Sequence, residues 1–122
     1  MIDVSVSTLD IECASLNRID FIKIDVEGGE IDCLTGGRET LQRTRPIVSV
    51  EYGYPAYSGY GNCAQTLFNL ASHNGYVLGD LFGHPICTAQ EWDEICDHSY
   101  WDYFMVPAER LDDWSSRLKA AR

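Results

Sequence analysis

Apolar and polar positions change their spacing along the chain in a way that predicts a mixed α/β fold. The first apolar residues, Ile2, Val4 and Val6, alternate with polar ones and predict a short half-buried strand. Residues 21–26 form a nearly continuous apolar run, which is typical of a parallel strand buried on both faces. The same reasoning predicts three more strands, over residues 47–52, 76–82 and 101–106.

Apolar residues recur at helical spacing between these strands. The pair Gly36-Gly37 divides one helical stretch in two. Thr88 and Glu91 form a capping-box pattern that predicts a short helix. Further helices are predicted over residues 9–17, from Ala64 to Gly75, and from Pro107 onward. Alternating strands and helices predict a mostly parallel sheet with helices on both faces, in three layers.

The composition excludes several classes of function. A chain of 122 residues with 45% hydrophobic residues predicts one folded domain over residues 1–122. The net charge of −10 argues against a nucleic-acid partner. The sequence has neither an apolar run of about 20 residues nor a signal-peptide pattern, so we expect no membrane partner and a cytoplasmic location. Five cysteines without a C-x-x-C pair favour reduced thiols over disulfides or a zinc site.

Carboxylates follow two of the predicted strands at the points where they end. Asp25 and Glu27 close the first of these strands, and Glu51 closes the next. Because ligands of open α/β sheets bind outside the carboxyl ends of the strands, we predict functional roles for Asp25 and Glu51. Such carboxylates can bind a divalent metal, or one of them can act as a general base with a raised pKa. Glu27 and Glu30 also suit a helix N-terminus, a structural role that we assign to Glu30 and leave open for Glu27.

Lys23 lies within the same predicted strand, where a buried ammonium needs an acidic partner. Asp25 and Glu51 are the expected partners. The pair can be purely structural, or Lys23 can be part of the catalytic group by keeping Asp25 charged.

Tyrosines are concentrated after the second of these strands. Their flat apolar faces and polar tips suit the binding of a small acceptor, so Tyr52, Tyr54 and Tyr57 are candidate substrate-binding residues. An exposed tyrosine loop without a function is equally compatible with the sequence. The three histidines belong to no catalytic or metal-binding pattern, and we expect structural roles for them: His73, His84 and His98.

The segment FIKIDVEGGE, followed by CLTGG and RPIVSVE, resembles the FkbM-type family of S-adenosylmethionine-dependent methyltransferases. Weaker similarity extends to VSVSTLD upstream and YFMVP downstream. The resemblance implies a Rossmann-like methyltransferase fold whose final strand is antiparallel. It also implies O-methylation of a small-molecule or sugar hydroxyl, with S-adenosylmethionine as cofactor and with Asp25 and Glu27 as cofactor-binding residues.

Methyltransferases of this kind hold their cofactor chiefly with a Gly-rich loop after the first strand, and this sequence has no such loop near its start. The resemblance therefore covers the C-terminal half of the family's domain, and we expect a truncated or split form that binds S-adenosylmethionine weakly or not at all alone. Since a strand as apolar as residues 21–26 makes a poor sheet edge, we expect a homo-oligomer or a partner chain that completes the sheet. The alternative is a non-enzymatic relic or interaction module that keeps half of the fold.

Overall fold

The computed structural model describes residues 2–98 and 100–121 and shows a five-stranded sheet surrounded by short helices. The strands are β1 (Phe21–Ile24), β2 (Ile47–Glu51), β3 (Tyr76–Gly79), β4 (Pro85–Ile86) and β5 (Asp102–Pro107). The α-helices are α1 (Leu9–Glu12), α2 (Glu30–Thr35), α3 (Arg38–Thr44), α4 (Tyr54–Tyr57), α5 (Ala64–His73), α6 (Ala89–Ile95) and α7 (Leu111–Ala120). Short 3₁₀ turns follow α4 and precede α7, at Ser58–Tyr60 and Ala108–Arg110.

The mixed α/β class is confirmed, but the prediction of a mostly parallel sheet is wrong. The strand order is β1-β2-β5-β3-β4, in which β1 and β2 pair in parallel and the other three pairings are antiparallel. The reason is the last strand, which lies between β2 and β3 and runs against both of them. β1, β2 and β3 consequently run in the same direction, although β2 and β3 are not neighbours. The expectation of an antiparallel final strand is confirmed.

Helices lie on opposite faces of the sheet at β5. The ring of Tyr103 contacts that of Trp92 in α6, with centroids 4.6 Å apart, whereas Phe104 contacts Trp114 in α7 at 5.6 Å. Because consecutive residues of a strand point to opposite faces, α6 and α7 cover different sides. Helix cover over the whole of both faces, as three complete layers require, stays a prediction.

The predicted strand over residues 2–6 is wrong, because this segment forms no regular secondary structure. Its apolar side chains are largely exposed: Ile2 87%, Val4 77% and Val6 93%. The helix that follows is α1, shorter than the predicted 9–17, and Thr8 caps it by accepting a hydrogen bond from the Ile11 amide at 3.2 Å. Alternation alone misled the prediction, since a strand also needs a neighbour to pair with.

The strand predicted over residues 21–26 is shorter, and its predicted burial on both faces is wrong. β1 ends at Ile24 and lies at the edge of the described sheet, with Phe21 53% exposed. Ile24 is buried, whereas Lys23 is exposed. The residue pattern is that of a central strand. Among the residues that the structure describes, β1 has a neighbouring strand on one side only, which is β2.

Gly36-Gly37 separates α2 from α3, as predicted, and packing explains why glycine is needed there. A Cβ at Gly37 would lie 2.5 Å from a methyl carbon of Leu9. This close approach lets Asp10 of α1 cap α3 by accepting hydrogen bonds from the Glu39 and Thr40 amides, at 3.1 and 2.8 Å. Helix α1 is thereby fixed to α3.

Local signals were accurate further along the chain, with three exceptions. The strand predicted over residues 76–82 ends at Gly79. Thr88 caps α6 as the capping-box pattern predicted. Sequence reasoning missed β4, which has two residues and pairs with β3. Pro107 ends β5 instead of opening a helix. Of the helices that the structure describes, none has the length and apolar character needed to cross a bilayer.

Candidate functional site

Two carboxylates predicted to be neighbours lie together at the carboxyl ends of β1 and β2. The parallel register pairs Ile24 with Val50, and one further residue on each strand places Asp25 beside Glu51. Partial burial raises the pKa of Glu51, and the charge of Asp25 and a hydrogen bond with its side chain raise it further. A carboxyl group of this kind keeps its proton to higher pH than an ordinary glutamic acid does.

A third carboxylate extends this arrangement to the next strand. Asp102, the first residue of β5, lies opposite Glu51 in the antiparallel register, and its charge also raises the pKa of Glu51. We call Asp25, Glu51 and Asp102 the acidic edge. None of the ion pairs found among residues 2–98 and 100–121 involves these three side chains. Like charges placed opposite each other destabilise a sheet, so the acidic edge costs stability near neutral pH.

The loop after β1 is held by a buried glutamate. Glu30 is 1% exposed, and its carboxylate accepts hydrogen bonds from the Val26 and Gly28 amides at 3.1 Å. Between them Glu27 has a φ of 49°, a left-handed conformation that is uncommon outside glycine. The structural role assigned to Glu30 is thus a cap on the preceding loop, and Glu27 is exposed at the mouth of the site.

The loop after β2, residues 52–61, packs directly onto the loop after β1, and we call it the tyrosine loop. Gly28 has a φ of 111° and a Cβ there would lie 2.6 Å from the Tyr60 ring and 2.7 Å from the Ala56 carbonyl oxygen. Only glycine fits this contact. The tyrosine loop therefore helps to position the end of β1.

The substrate-binding candidates in the tyrosine loop have different surroundings. Tyr52 and Tyr57 are buried, and their rings stack with centroids 4.5 Å apart. The Tyr52 hydroxyl donates to the Cys63 carbonyl at 2.6 Å, and the Tyr57 hydroxyl donates to Asp97 at 2.7 Å. Tyr54 is 63% exposed. Direct contact with a ligand therefore stays a prediction that we pursue for Tyr54, while the other two shape the loop.

Asp97 is a site residue that sequence reasoning missed. It has a φ of 68°, and its carboxylate accepts hydrogen bonds from the Tyr57 hydroxyl and the Tyr54 amide, at 2.7 and 2.8 Å. Asp97 thereby fixes the tyrosine loop to the segment between α6 and β5. The available signal was an aspartate just after a predicted helix, since Asp tolerates the left-handed conformation, but its partners lie far away in the sequence.

Trp101 separates two cavities at this end of the sheet. Its indole packs on Gly53, where a Cβ would lie 2.8 Å from the ring. A small cavity of about 50 Å³ lies on the side of the β1 loop and is lined by Glu27, Glu30, Glu51, Gly53, Pro55, Ala56 and Trp101. An open groove of about 470 Å³ is lined by Glu51, Asp97, His98, Tyr100, Trp101 and Asp102. Glu51 and Trp101 line both, so Glu51 is accessible from two sides.

A family model described as the Methyltransferase FkbM domain matches residues 1–78 of the 122-residue chain. The chain belongs to this family. It is also 42% identical over 60 residues to a protein described as "2-O-methyltransferase NoeI" from Sinorhizobium fredii (strain NBRC 101917 / NGR234). That match covers 48% of the chain and 25% of the relative, so the chain spans only part of the relative's length. No solved structure matches the chain.

The region matched by the FkbM family model contains only part of the site. Residues 1–78 include Asp25, Glu51 and the tyrosine loop, but not Asp97, Trp101 or Asp102. The matched family is described as a methyltransferase domain, and the similar protein as a 2-O-methyltransferase. The part of the groove contributed by β5 and the segment before it lies outside the family match.

The small cavity at the acidic edge does not fit the whole cofactor. Sites for ligands of that size usually enclose roughly 300–1,000 Å³. The small cavity at the acidic edge has about 50 Å³. Weak or absent binding of S-adenosylmethionine by the chain alone stays a prediction.

For the remaining predicted site residues, the structure gives their positions. Lys23 is exposed on β1, so the expectation of a buried ammonium that needs an acidic partner is wrong; a catalytic role for it stays a prediction without a supporting contact. Within the described part of the chain, no group of three or more His, Cys, Asp or Glu side chains is arranged to hold a metal ion. The metal alternative for the carboxylates thus gains no support. The Nδ1 atom of His84 lies within hydrogen-bonding distance of the Asp80 carboxylate, at 2.9 Å.

Proposed function

We propose that this FkbM domain takes part in methyl transfer from S-adenosylmethionine to a hydroxyl group of a small molecule or sugar. In this proposal Asp25 and Glu51 bind the acceptor hydroxyl and remove its proton. The observation that carries the proposal is the placement of these two carboxyl groups side by side at the carboxyl ends of two parallel strands, where partial burial and the charge of Asp25 raise the pKa of Glu51.

The raised pKa supports a role for Glu51 in proton transfer. A carboxylate whose pKa is raised is a stronger base, and general bases work best when their pKa approaches the operating pH. Asp25 is the positioning partner, since its charge and hydrogen bond contribute to the shift. Tyr54 is the exposed member of the three candidate tyrosines and is the one we propose for acceptor contact.

We further propose that the working enzyme contains strands beyond the outer side of β1, supplied by another polypeptide segment or a second copy. The exposed edge of β1 and the small size of the cavity at the acidic edge support this. Sedimentation of the 122-residue chain at micromolar concentrations tests it, and a clean monomer that transfers methyl groups would contradict it.

A non-enzymatic interaction module is the second candidate, and the exposed β1 edge is compatible with it as well. Edge strands with apolar side chains pair readily with other chains. Calorimetry with S-adenosylmethionine separates the candidates when it is combined with acceptor turnover. A module that binds no donor and methylates no acceptor in any assembly fits the second candidate only.

The catalytic proposal is tested by two conservative substitutions in the active assembly. Asp25→Asn and Glu51→Gln keep the shape of each side chain, and we expect each to lower single-turnover methyl transfer roughly 100-fold, the usual scale for a positioned base. Asp112→Asn, on the exposed side of α7, is the matched control and should leave the rate unchanged. A loss of less than about threefold per folded molecule, under ~1 kcal/mol of barrier, would remove both residues from the mechanism.

A further inference from the structure

The open groove beside the acidic edge has the features of a ligand site that the proposed reaction has not yet used. It has a volume of about 470 Å³, within the usual size range of small-molecule pockets. Through Glu51 it reaches the carboxyl pair at which the acceptor hydroxyl is proposed to react. A molecule bound in the groove can thus present one of its hydroxyl groups to Glu51.

Trp101 is an exposed aromatic ring held in a fixed position within this groove. It is 45% exposed, whereas Trp92 is fully buried and Trp114 is 6% exposed. Its ring packs against Gly53, and its carbonyl oxygen accepts a hydrogen bond from the Tyr52 amide at 2.7 Å. A large apolar ring that remains exposed although its backbone is fixed can serve as a flat contact surface for a ligand.

The charge of the groove limits what can bind there. Its titratable side chains are Glu51, Asp97, Asp102, His98 and Tyr100, and none of the six lining residues is lysine or arginine. Carboxylates accept strong hydrogen bonds from hydroxyl groups and repel anions. The whole chain carries a net charge of −10, which adds to the repulsion.

We propose that this groove binds an uncharged sugar ring, with its apolar face stacked on Trp101 and its hydroxyls donating hydrogen bonds to the carboxylates. This inference rests on the proposed function and adds the class of acceptor to it. A sugar ring has an apolar face of C–H groups and a rim of hydroxyls, which matches an aromatic surface bordered by acceptors. A phosphorylated sugar offers the same ring with a charge that the groove repels.

The test is a binding experiment on the complete chain that requires no methyl transfer. Tryptophan fluorescence is titrated with the methyl glycosides of glucose, galactose, mannose and N-acetylglucosamine, and with the 6-phosphates of the same sugars. We expect a saturable change with at least one neutral glycoside. The matching 6-phosphate should bind at least roughly tenfold more weakly at low salt, and the gap should narrow as salt screens the charges.

Variants assign the signal to the groove. Because Trp101 is itself the exposed fluorophore, its variants are measured by calorimetry. Trp101→Ala should weaken glycoside binding roughly tenfold, the scale of one lost aromatic contact, while Trp101→Phe should keep most of it. Phe21→Ala removes another exposed aromatic ring that does not line the groove, and it should leave binding unchanged. Asp102→Asn should narrow the difference between neutral and phosphorylated sugars.

The proposal is overturned if none of the four glycosides gives a saturable signal, or if the 6-phosphates bind as well as the neutral sugars. Both results can be read on the unmodified chain, so they hold even if a variant fails to fold. Neither result measures removal of a proton by the Asp25–Glu51 pair. Methyl transfer to a different kind of acceptor would still support the proposed function.

Discussion

Charged side chains are arranged in opposite ways at the two ends of β2. Just before the strand begins, Arg45 forms a bidentate ion pair with Glu109, at 2.7 and 2.9 Å, and donates hydrogen bonds to the carbonyl oxygens of Asn74 and Gly75. Where the strand ends, Glu51 lies between the carboxylates of Asp25 and Asp102. Opposite charges pair before the beginning of β2, whereas charges of the same sign lie together at its end.

The pKa values follow this contrast. The Arg45 side chain lowers the pKa of Glu109, chiefly through the hydrogen bond between them, so that carboxylate stabilises the folded state. Partial burial and the neighbouring Asp25 raise the pKa of Glu51, so its charge weakens the folded state. The ion pair before β2 thus stabilises the folded state, and the facing carboxylates at the end of β2 destabilise it. A cost that is confined to one edge and is not needed for folding is typical of a functional site.

The largest expected effect is at the acidic end, where Gly28→Ala should lower the free energy of unfolding by about 3 kcal/mol or more. The new Cβ would meet the Tyr60 ring and the Ala56 carbonyl, at a φ of 111° that suits only glycine. Urea unfolding measures the change. Gly59→Ala is the control in the same loop, since no atom lies within 4 Å of its Cβ position, and equal losses in the two variants would contradict the packing described here.

At the paired end, we expect Arg45→Ala to destabilise the chain by about 2 kcal/mol. It removes hydrogen bonds to two carbonyl oxygens, the ion pair with Glu109, and a guanidinium 4.7 Å from the centre of the Tyr76 ring. Thermal unfolding at pH 7 provides the measurement. Arg18→Ala removes an ion pair on the open surface and should have no measurable effect; if both variants behaved alike, the paired end would contribute no special stability.

The smallest effect should have the opposite sign. Glu51→Gln removes one of the facing like charges and should stabilise the fold at pH 7 by roughly 0.5 kcal/mol. The folded-state pKa of Glu51 is raised. The stability gained by Glu51→Gln should therefore be full above that pKa. It should vanish below the ordinary value of 4.5, where the carboxyl is protonated in the folded and the unfolded state. Unfolding curves at pH 7 and pH 4 test this. A destabilised variant at pH 7 would show that the acidic edge carries no cost.

Sequence reasoning succeeded where neighbouring residues decide the structure. The Gly36-Gly37 break and the Thr88 cap depend on contacts within a few residues, and both are confirmed. β2 also lies within its predicted range. The placement of Asp25 beside Glu51 followed from parallel pairing of two predicted strands, which the register confirms.

Sequence reasoning failed where contacts between distant segments decide the structure. Residues 2–6 have the pattern of a strand but nothing to pair with, and β5 makes the sheet mostly antiparallel by lying between β2 and β3. Asp97 bonds a tyrosine 40 positions away, a contact that no local pattern reveals. The burial of Tyr52 and Tyr57 likewise depends on the folding of the tyrosine loop onto the segment after α6.

The most direct test of the account is the pKa of Glu51, measured by following its side-chain carboxyl carbon in an NMR titration of the chain. We expect a value above the ordinary 4.5 in the native chain. In the Asp25→Asn variant the value should fall toward 4.5, because the neighbouring charge is removed while burial remains. A native value at or below 4.5, or one that Asp25→Asn leaves unchanged, would contradict the coupling on which the proposed function depends.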